Sequence, residues 1–248
     1  MAESKKMLVF GGTGPLGICL LRELLHREHA TIAYARNPSK IPEDLASNPL
    51  LEVIKGEFTD VPALSLAISK ASLILSCLGP VLTQKPKSDD EYRGYYATVV
   101  DSMREHGVRR IFALSTISAY DEADGSSFLR WAVVWLVRTL FNRAWRNIVN
   151  VAEFFAGLDS GGGGGGEGES AKIDWTLYRV AGIPGGCDEQ AWRKDREDGK
   201  TFVGYVGKPG WTGSQRRAAL ARWLVDAAES GAEELVGKML AVSRLEGS

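Results

Sequence analysis

Cysteine and histidine are scarce in this chain of 248 residues, with three of each. Three cysteines, at 19, 77 and 187, cannot build a disulfide framework, so a reducing compartment and a cytoplasmic location are expected. His26 and His29 lack cysteine or acidic partners at metal-ligand spacing, and His106 also falls at an expected helix end. A cation there offsets the helix dipole, so no metal is expected and no Ser-His-Asp arrangement can be argued. An excess of either charge is missing too: 30 basic and 31 acidic residues leave a net charge of −1. That provides no overall field for nucleic acid or an anionic membrane. The longest apolar run, 131–137, is bounded by Arg130 and Arg138 and falls well short of the about 20 residues a bilayer span needs. Residues 1–6 are short and polar and do not read as a signal peptide.

Glycine, by contrast, is abundant. There are 28, where average usage of about 7% would give about 17. The surplus sits in two places: the turn at 11–17 and a segment at 160–170 with six glycines in a row. The second cannot bury a core and is expected to be a surface loop. The remaining composition, 44% hydrophobic, is ample for one core, and a single domain over 1–248 is expected.

Short apolar runs at 7–10, 31–35, 51–54, 72–77, 110–115, 174–180, 201–206 and 238–242 read as strands. Between them lie helical patterns. Leu20, Leu21, Leu24 and Leu25 form one face. Asp60 caps a helix with Pro62 in its first turn, and Tyr92, Tyr95, Tyr96, Val99, Val100 and Met103 share a face that ends at Gly107. Residues 128–158 read as mostly helical with an interruption, and Ser214 reads as the cap of a last helix. Alternating strands and helices predict a doubly wound parallel α/β sheet with helices on both faces.

Gly12, Gly14 and Gly17 fit G-x-G-x-x-G between a strand and a helix, the context of a dinucleotide site. The glycines allow a tight turn, close approach to a pyrophosphate and close helix–strand packing. Free N–H groups and the helix dipole then favour the anion. The second strand ends in Arg36 instead of the acidic residue that holds the ribose hydroxyls of NAD, so NADP is the expected cofactor.

Taken with Arg36-Asn37-Pro38, the strand end 76–79, the segment 107–115 and the run Asp174-Trp175-Thr176-Leu177-Tyr178-Arg179, this turn resembles the atypical short-chain dehydrogenase/reductases. Within them it is similar to the biliverdin-IXβ/flavin reductases and the nitrogen-metabolite-repression-like regulators. The resemblance covers nearly the whole chain. It implies a Rossmann fold, NADP binding and a substrate cleft over the carboxyl ends of the strands. By position it implies that Gly11, Thr13, Gly14, Leu16 and Gly17 line the pyrophosphate and Arg36 meets the 2′-phosphate. Asp60 would lie beside the adenine, and Cys77, Leu78 and Gly79 would flank the ribose. Ser115 and Thr116 would lie beside the nicotinamide, with Arg179, Val180 and Ala181 closing its pocket.

The family's catalytic Tyr-x-x-x-Lys pair is absent, since no tyrosine has a lysine four places on. If Glu153 is the helical glutamate of the extended members, the lysine position holds Val149. Ser115 is then the first catalytic candidate, with Thr116, Ser118 and Tyr120 on the following loop, and Arg146 and Asn150 one turn apart on a helix. Phe128, Trp131, Trp135, Phe141 and Trp145 alternate with Arg130, Arg138, Arg143 and Arg146. The plainer reading is a core helix with arginines reaching outward. If it lines the cleft, it favours a large, flat, apolar substrate; a dimer interface is the other use. The charged stretch 193–200 reads as a solvated face. These residues together predict an NADPH-dependent reductase of a small apolar carbonyl, quinone or flavin-like molecule. The alternatives are an NADP(H)-binding redox sensor without turnover and a redox-neutral cyclase or isomerase. A monomer or homodimer is expected, without nucleic acid or a transmembrane segment.

Overall fold

The computed structural model describes residues 5–80, 86–159 and 172–248. The glycine-rich segment 160–170 lies outside the described residues. Eight strands form one sheet: β1 (Lys6–Phe10), β2 (Thr31–Ala35), β3 (Leu51–Lys55), β4 (Ala71–Ser76), β5 (Arg110–Thr116), β6 (Asp174–Val180), β7 (Thr201–Gly204) and β8 (Lys238–Arg244). Their order is β3-β2-β1-β4-β5-β6-β8-β7, parallel throughout except for β7, which pairs antiparallel with β8 at the edge. The expected doubly wound α/β fold is the observed one, and β7 is its one exception to parallel pairing.

Helices cover both faces. α1 (Pro15–His26), α2 (Glu43–Ala46), α7 (Glu189–Asp195) and α8 (Arg217–Ser230) contribute to one core, through Leu20, Leu24, Leu45, Trp192, Leu220 and Leu224. α3 (Val61–Ser69), α4 (Glu91–His106) and α6 (Asn142–Asp159) contribute to the other, through Leu64, Tyr96, Val99, Met103 and Phe155. α5 (Phe128–Leu140) stands apart, with no buried residue.

Local signals set most of these ends. Pro15 opens α1, where its missing N–H costs no helical bond. Asp60 accepts a hydrogen bond from the Ala63 N–H at the start of α3. Gly107 ends α4 in the left-handed region at φ 65°. The 128–158 region is interrupted as expected, at Phe141, whose φ of −129° leaves the helical range. Two expectations need correction. Ser214 is not a cap, because α8 begins later, with Arg216 at its N-cap. The stretch 193–200 is not simply a solvated face. Asp188 caps α7 by accepting from the Ala191 N–H. Trp192 is buried and donates to Glu23, and Arg196 donates to the same carboxylate at 2.7 Å. Burial would raise the Glu23 pKa, but its bonds from Arg196 and Arg27 outweigh that and hold it below the usual range.

The strand order reverses at β1, whose neighbours are β2 and β4. The helices that follow these strands go to opposite faces, leaving a crevice beyond their carboxyl ends. Of the candidate cofactor residues, Gly11, Thr13, Arg36 and Leu78 line a cleft there.

Candidate active site

The turn after β1 is built where side chains do not fit. Gly11 has φ 75°, and a Cβ there would meet the Cys77 carbonyl group at 2.9 Å. A Cβ on Gly17 would lie 2.1 Å from the Gly11 carbonyl oxygen. Both obstacles are backbone and cannot rotate away. Gly12 is different, since its Cβ would meet only the end of the Leu21 side chain, at 3.3 Å. Gly14 donates to the Gly11 carbonyl at 3.0 Å and serves as the N-cap of α1 with no side-chain cap. Pro15 has no N–H, so the first-turn donors left without a helical partner are those of Leu16 and Gly17. The Leu16 side chain itself is buried in the core. A cradle closed to Cβ atoms, with open N–H groups at a helix N-terminus, fits a dinucleotide pyrophosphate.

A cleft of about 300 Å³ runs from this turn along the end of β2. Gly11, Thr13 and Leu78 line one end, with Arg36, Asn37 and Lys40 on the β2 side. Phe58 and Tyr95 stack with centroids 5.2 Å apart and an interplanar angle of 29°, giving the cleft an aromatic wall. The Tyr95 hydroxyl donates to Glu91 at 2.6 Å. Burial and that carboxylate raise its pKa. Glu57 lines the cleft while its carbonyl accepts from the Tyr34 hydroxyl at 2.7 Å. Asp60, expected beside the adenine, spends its carboxylate on the N-terminus of α3, and Phe58 and Thr59 line the cleft just before it. Cys77 meets the turn through its backbone. Burial pushes its thiol up to about 12, far from a reactive thiolate. Gly79 is half-buried and 3.7 Å, at a built Cβ, from Leu114.

A second pocket, of about 490 Å³, lies between α5 and residues 120–127. Tyr120, Ser126, Ser127, Arg130, Trp131, Trp135 and Arg138 line it. Asp124 also lines it, with Arg130 3.5 Å away, and is part of a buried ion cluster. Both Asp124 carboxylate oxygens accept from Arg179 at 2.7 Å, and both side chains are fully buried. Arg179 also donates to the Ala119 carbonyl, and Asp124 accepts from the Val206 N–H. Burial would raise the Asp124 pKa, but the Arg179 hydrogen bonds and charge hold it below the ordinary value. The Arg179 side chain, expected to close a cofactor pocket, is bonded to Asp124.

Ser115 lies at the end of β5, in register with Arg179 on β6. It is 3% exposed, and its hydroxyl has no partner among the described residues. Buried hydroxyls are usually paired, and the Ser102 hydroxyl on α4 shares this unpartnered state. The Thr116 hydroxyl accepts from the Ser118 N–H at 3.2 Å. Tyr120 is 62% exposed at the second pocket, with the Arg130 guanidinium over its ring. Val180 is buried and its carbonyl accepts from Ile117, while Ala181 packs near Ile117 and Val206. Arg146 and Asn150 are directed elsewhere: they bond Asp89 and Asp90 and pin α6 to the start of α4.

Two features escaped the sequence reading, and a third, Lys40, was visible only as lying just beyond the end of the second strand. The tyrosine face of α4 splits: Tyr92 and Tyr95 line the cleft, while Tyr96 is buried against the Ser76 hydroxyl. The Asp124–Arg179 pair joins residues 55 apart, and no spacing rule reveals it. Lys40 joins Arg36 at the cleft.

Comparison with solved structures places the whole chain in a known fold. It superposes on a wide-type short-chain dehydrogenase/reductase from Veillonella parvula, solved with NADP, with a TM-score of 0.70 and 16% identity, covering 98% of this chain and 95% of that one. It superposes on the anaerobillin reductase ChuY of Escherichia coli O157:H7 with a TM-score of 0.67 and 18% identity, covering 98% of each chain. No curated protein matches the sequence. A family model described as NAD(P)H-binding matches residues 11–147, more than half of the chain. The chain therefore belongs to the NAD(P)H-binding family, with the Rossmann fold shared by short-chain dehydrogenase/reductases.

Proposed function

We propose that the protein is an NADPH-dependent reductase of a small, flat, apolar carbonyl, quinone or flavin-like molecule. The observation that carries this reading is the glycine cradle at the β1/β4 crevice, which opens onto a cleft bordered by Arg36. Gly11, Thr13, Gly14, Leu16 and Gly17 hold the pyrophosphate through backbone donors and close approach. Arg36, with Lys40 beside it, binds the 2′-phosphate as a charge-assisted donor. Cys77, Leu78 and Gly79 flank the ribose. The bound cofactor supplies the hydride. Ser115 supplies a hydrogen bond to the substrate oxygen, with Thr116 and Tyr120 as further hydroxyls at that end of the sheet. Trp131 and Trp135 give the second pocket apolar walls suited to an aromatic substrate. Positioning provides much of the rate where a Tyr/Lys pair is missing.

A second reading is an NADP(H)-binding sensor without turnover, and the missing Tyr-x-x-x-Lys pair favours it. One experiment separates the two. Purified protein with NADPH and a panel of quinones, flavins and aldehydes is followed at the NADPH absorbance. Catalytic oxidation supports the reductase; tight binding without turnover across the panel supports the sensor.

A further inference from the structure

α5 exposes what helices usually bury. Phe128 is 80% exposed, Trp131 63%, Trp135 58% and Leu140 65%, and Leu129 and Leu136 are also exposed. At 3.6 residues per turn, 128, 131 and 135 share one edge of the helix, and 129, 136 and 140 share the adjoining one. The apolar surface is thus one continuous sector. The opposite side meets the body of the protein: Arg130 donates to the Ile117 carbonyl, and Val133 packs near Ile117 and Val206. An apolar sector of this extent marks an interaction surface.

The helix itself carries no acid, and its Arg130 pairs with Asp124 beneath it at 3.5 Å. From 125 to 152 the sequence has no Asp or Glu but carries Arg130, Arg138, Arg143 and Arg146. Arg143 and Arg146 reach Asp89 on the neighbouring segment. Arg138 has no carboxylate within ion-pair distance among the described residues, and its guanidinium lies over Trp145. Arg138 is thus the exposed cation on the helix, which the near-zero net charge averages over.

We propose that α5 lies flat on an anionic lipid surface, with Phe128, Trp131, Trp135, Leu136 and Leu140 entering the interface and Arg138 meeting the headgroups. Aromatic and leucine side chains beside arginines are the composition of an interfacial helix. No helix among the described residues is long and apolar enough to cross a membrane, so α5 binds along the surface. A second copy docked through the same helix is disfavoured by charge. A two-fold contact would set the acid-free strip against itself. An anionic leaflet complements it. Trp131, Trp135 and Arg138 also wall the second pocket, so docking brings the mouth of that pocket to the lipid.

Flotation of the full chain with phosphatidylcholine vesicles, and with equimolar phosphatidylcholine and phosphatidylserine, tests this without reference to turnover. The protein is expected to float with the mixed vesicles, less with phosphatidylcholine alone, and to be released by salt. Phe128→Glu with Leu140→Glu changes residues outside the pocket lining. It is expected to abolish flotation while circular dichroism and melting temperature stay unchanged. Arg138→Gln, a milder change, is expected to lower partitioning into the mixed vesicles about fivefold and leave that into phosphatidylcholine alone unchanged. Absence of wild-type flotation, or flotation unaffected by both variants, overturns the proposal. A dimer in light scattering that the double variant breaks, with no lipid binding, assigns the face to a second copy and also overturns it.

Discussion

The two pockets are built on opposite principles. The cleft at the glycine turn has a backbone floor: the turn is shaped by carbonyls and N–H groups, and Gly11 and Gly17 work by having no side chain. The pocket under α5 is a side-chain construction, walled by tryptophans and arginines and by Asp124, which pairs with Arg179 and Arg130. A backbone site depends on the sheet, which two large cores hold in place. A side-chain site resting on Asp124 and Arg179 depends on two residues from distant segments. Damage should therefore spread differently in the two. A change at the ion pair should reach stability, whereas a change at the turn should reach cofactor affinity first.

The largest effect is expected at the pair. Asp124→Ala leaves a fully buried guanidinium uncompensated, a loss of about 3–5 kcal/mol, and also strips the Val206 N–H of its acceptor. Thermal and denaturant unfolding measure it. The double variant Asp124→Ala/Arg179→Met should recover part of the loss, because it removes the stranded charge. A pH series sharpens the point. The folded Asp124 pKa is depressed, so its contribution is complete above the ordinary carboxyl value of 3.8 and is lost as pH falls through the lower folded value. The stability gap between wild type and Asp124→Asn should close over that acid range. A gap that persists unchanged in acid would show that the pair does not support the pocket.

Gly17→Ala comes next and tests the other side of the comparison. Its Cβ would collide with the Gly11 carbonyl, so the turn must move. An NADPH affinity lower by about 10- to 100-fold follows from a distortion of about 1–3 kcal/mol, read by fluorescence titration. Gly12→Ala is the control, since only the end of the Leu21 side chain must yield, and its effect should be much smaller. Equal losses at the two positions would mean that crowding does not shape the turn.

The same contrast explains what was legible in the sequence. The alternation of strands and helices, the glycine turn, the Asp60 cap and the Gly107 terminus are local signals, each settled within a few residues, and they gave the fold. The place of Arg36 at the cleft was legible because the end of β2 has a fixed relation to the turn in such sheets. The Asp124–Arg179 pair, the Glu23–Arg196 bond and the Phe58–Tyr95 stack join residues 55, 173 and 37 positions apart. Only tertiary packing brings them together. The aromatic-arginine helix misled for a related reason. Its composition suits a core, yet the neighbouring elements leave it uncovered.

Arg36→Ala is expected to act on affinity alone. A charge-assisted bond of about 1.5–3 kcal/mol to the 2′-phosphate corresponds to about 10- to 100-fold in NADPH affinity. NADH lacks that phosphate and should bind almost as before. Parallel titrations of the two cofactors check it, and clearly tighter NADH binding by the wild type would remove the NADP assignment.

The smallest expected effect falls where the two constructions approach each other. Ser115 lies on β5, between β4 and the strand that carries Arg179. Its hydroxyl is buried without a partner, so removing it leaves no other polar group unpaired. Ser115→Ala should then be neutral for stability, within about 1 kcal/mol. NADPH affinity should hold as well, since the turn and Arg36, proposed to hold the phosphates, lie elsewhere. If the hydroxyl bonds the substrate oxygen as charge develops on it, kcat should fall by about tenfold or more, with the melting temperature unchanged. That split separates a catalytic serine from a packing serine, which would alter stability and leave turnover alone. Unchanged kcat in a normally folded variant would move the proton-donating role to Thr116 or Tyr120. Only the latter lies against the side-chain pocket, so the chemistry would then belong to the second construction and the first would merely hold the cofactor.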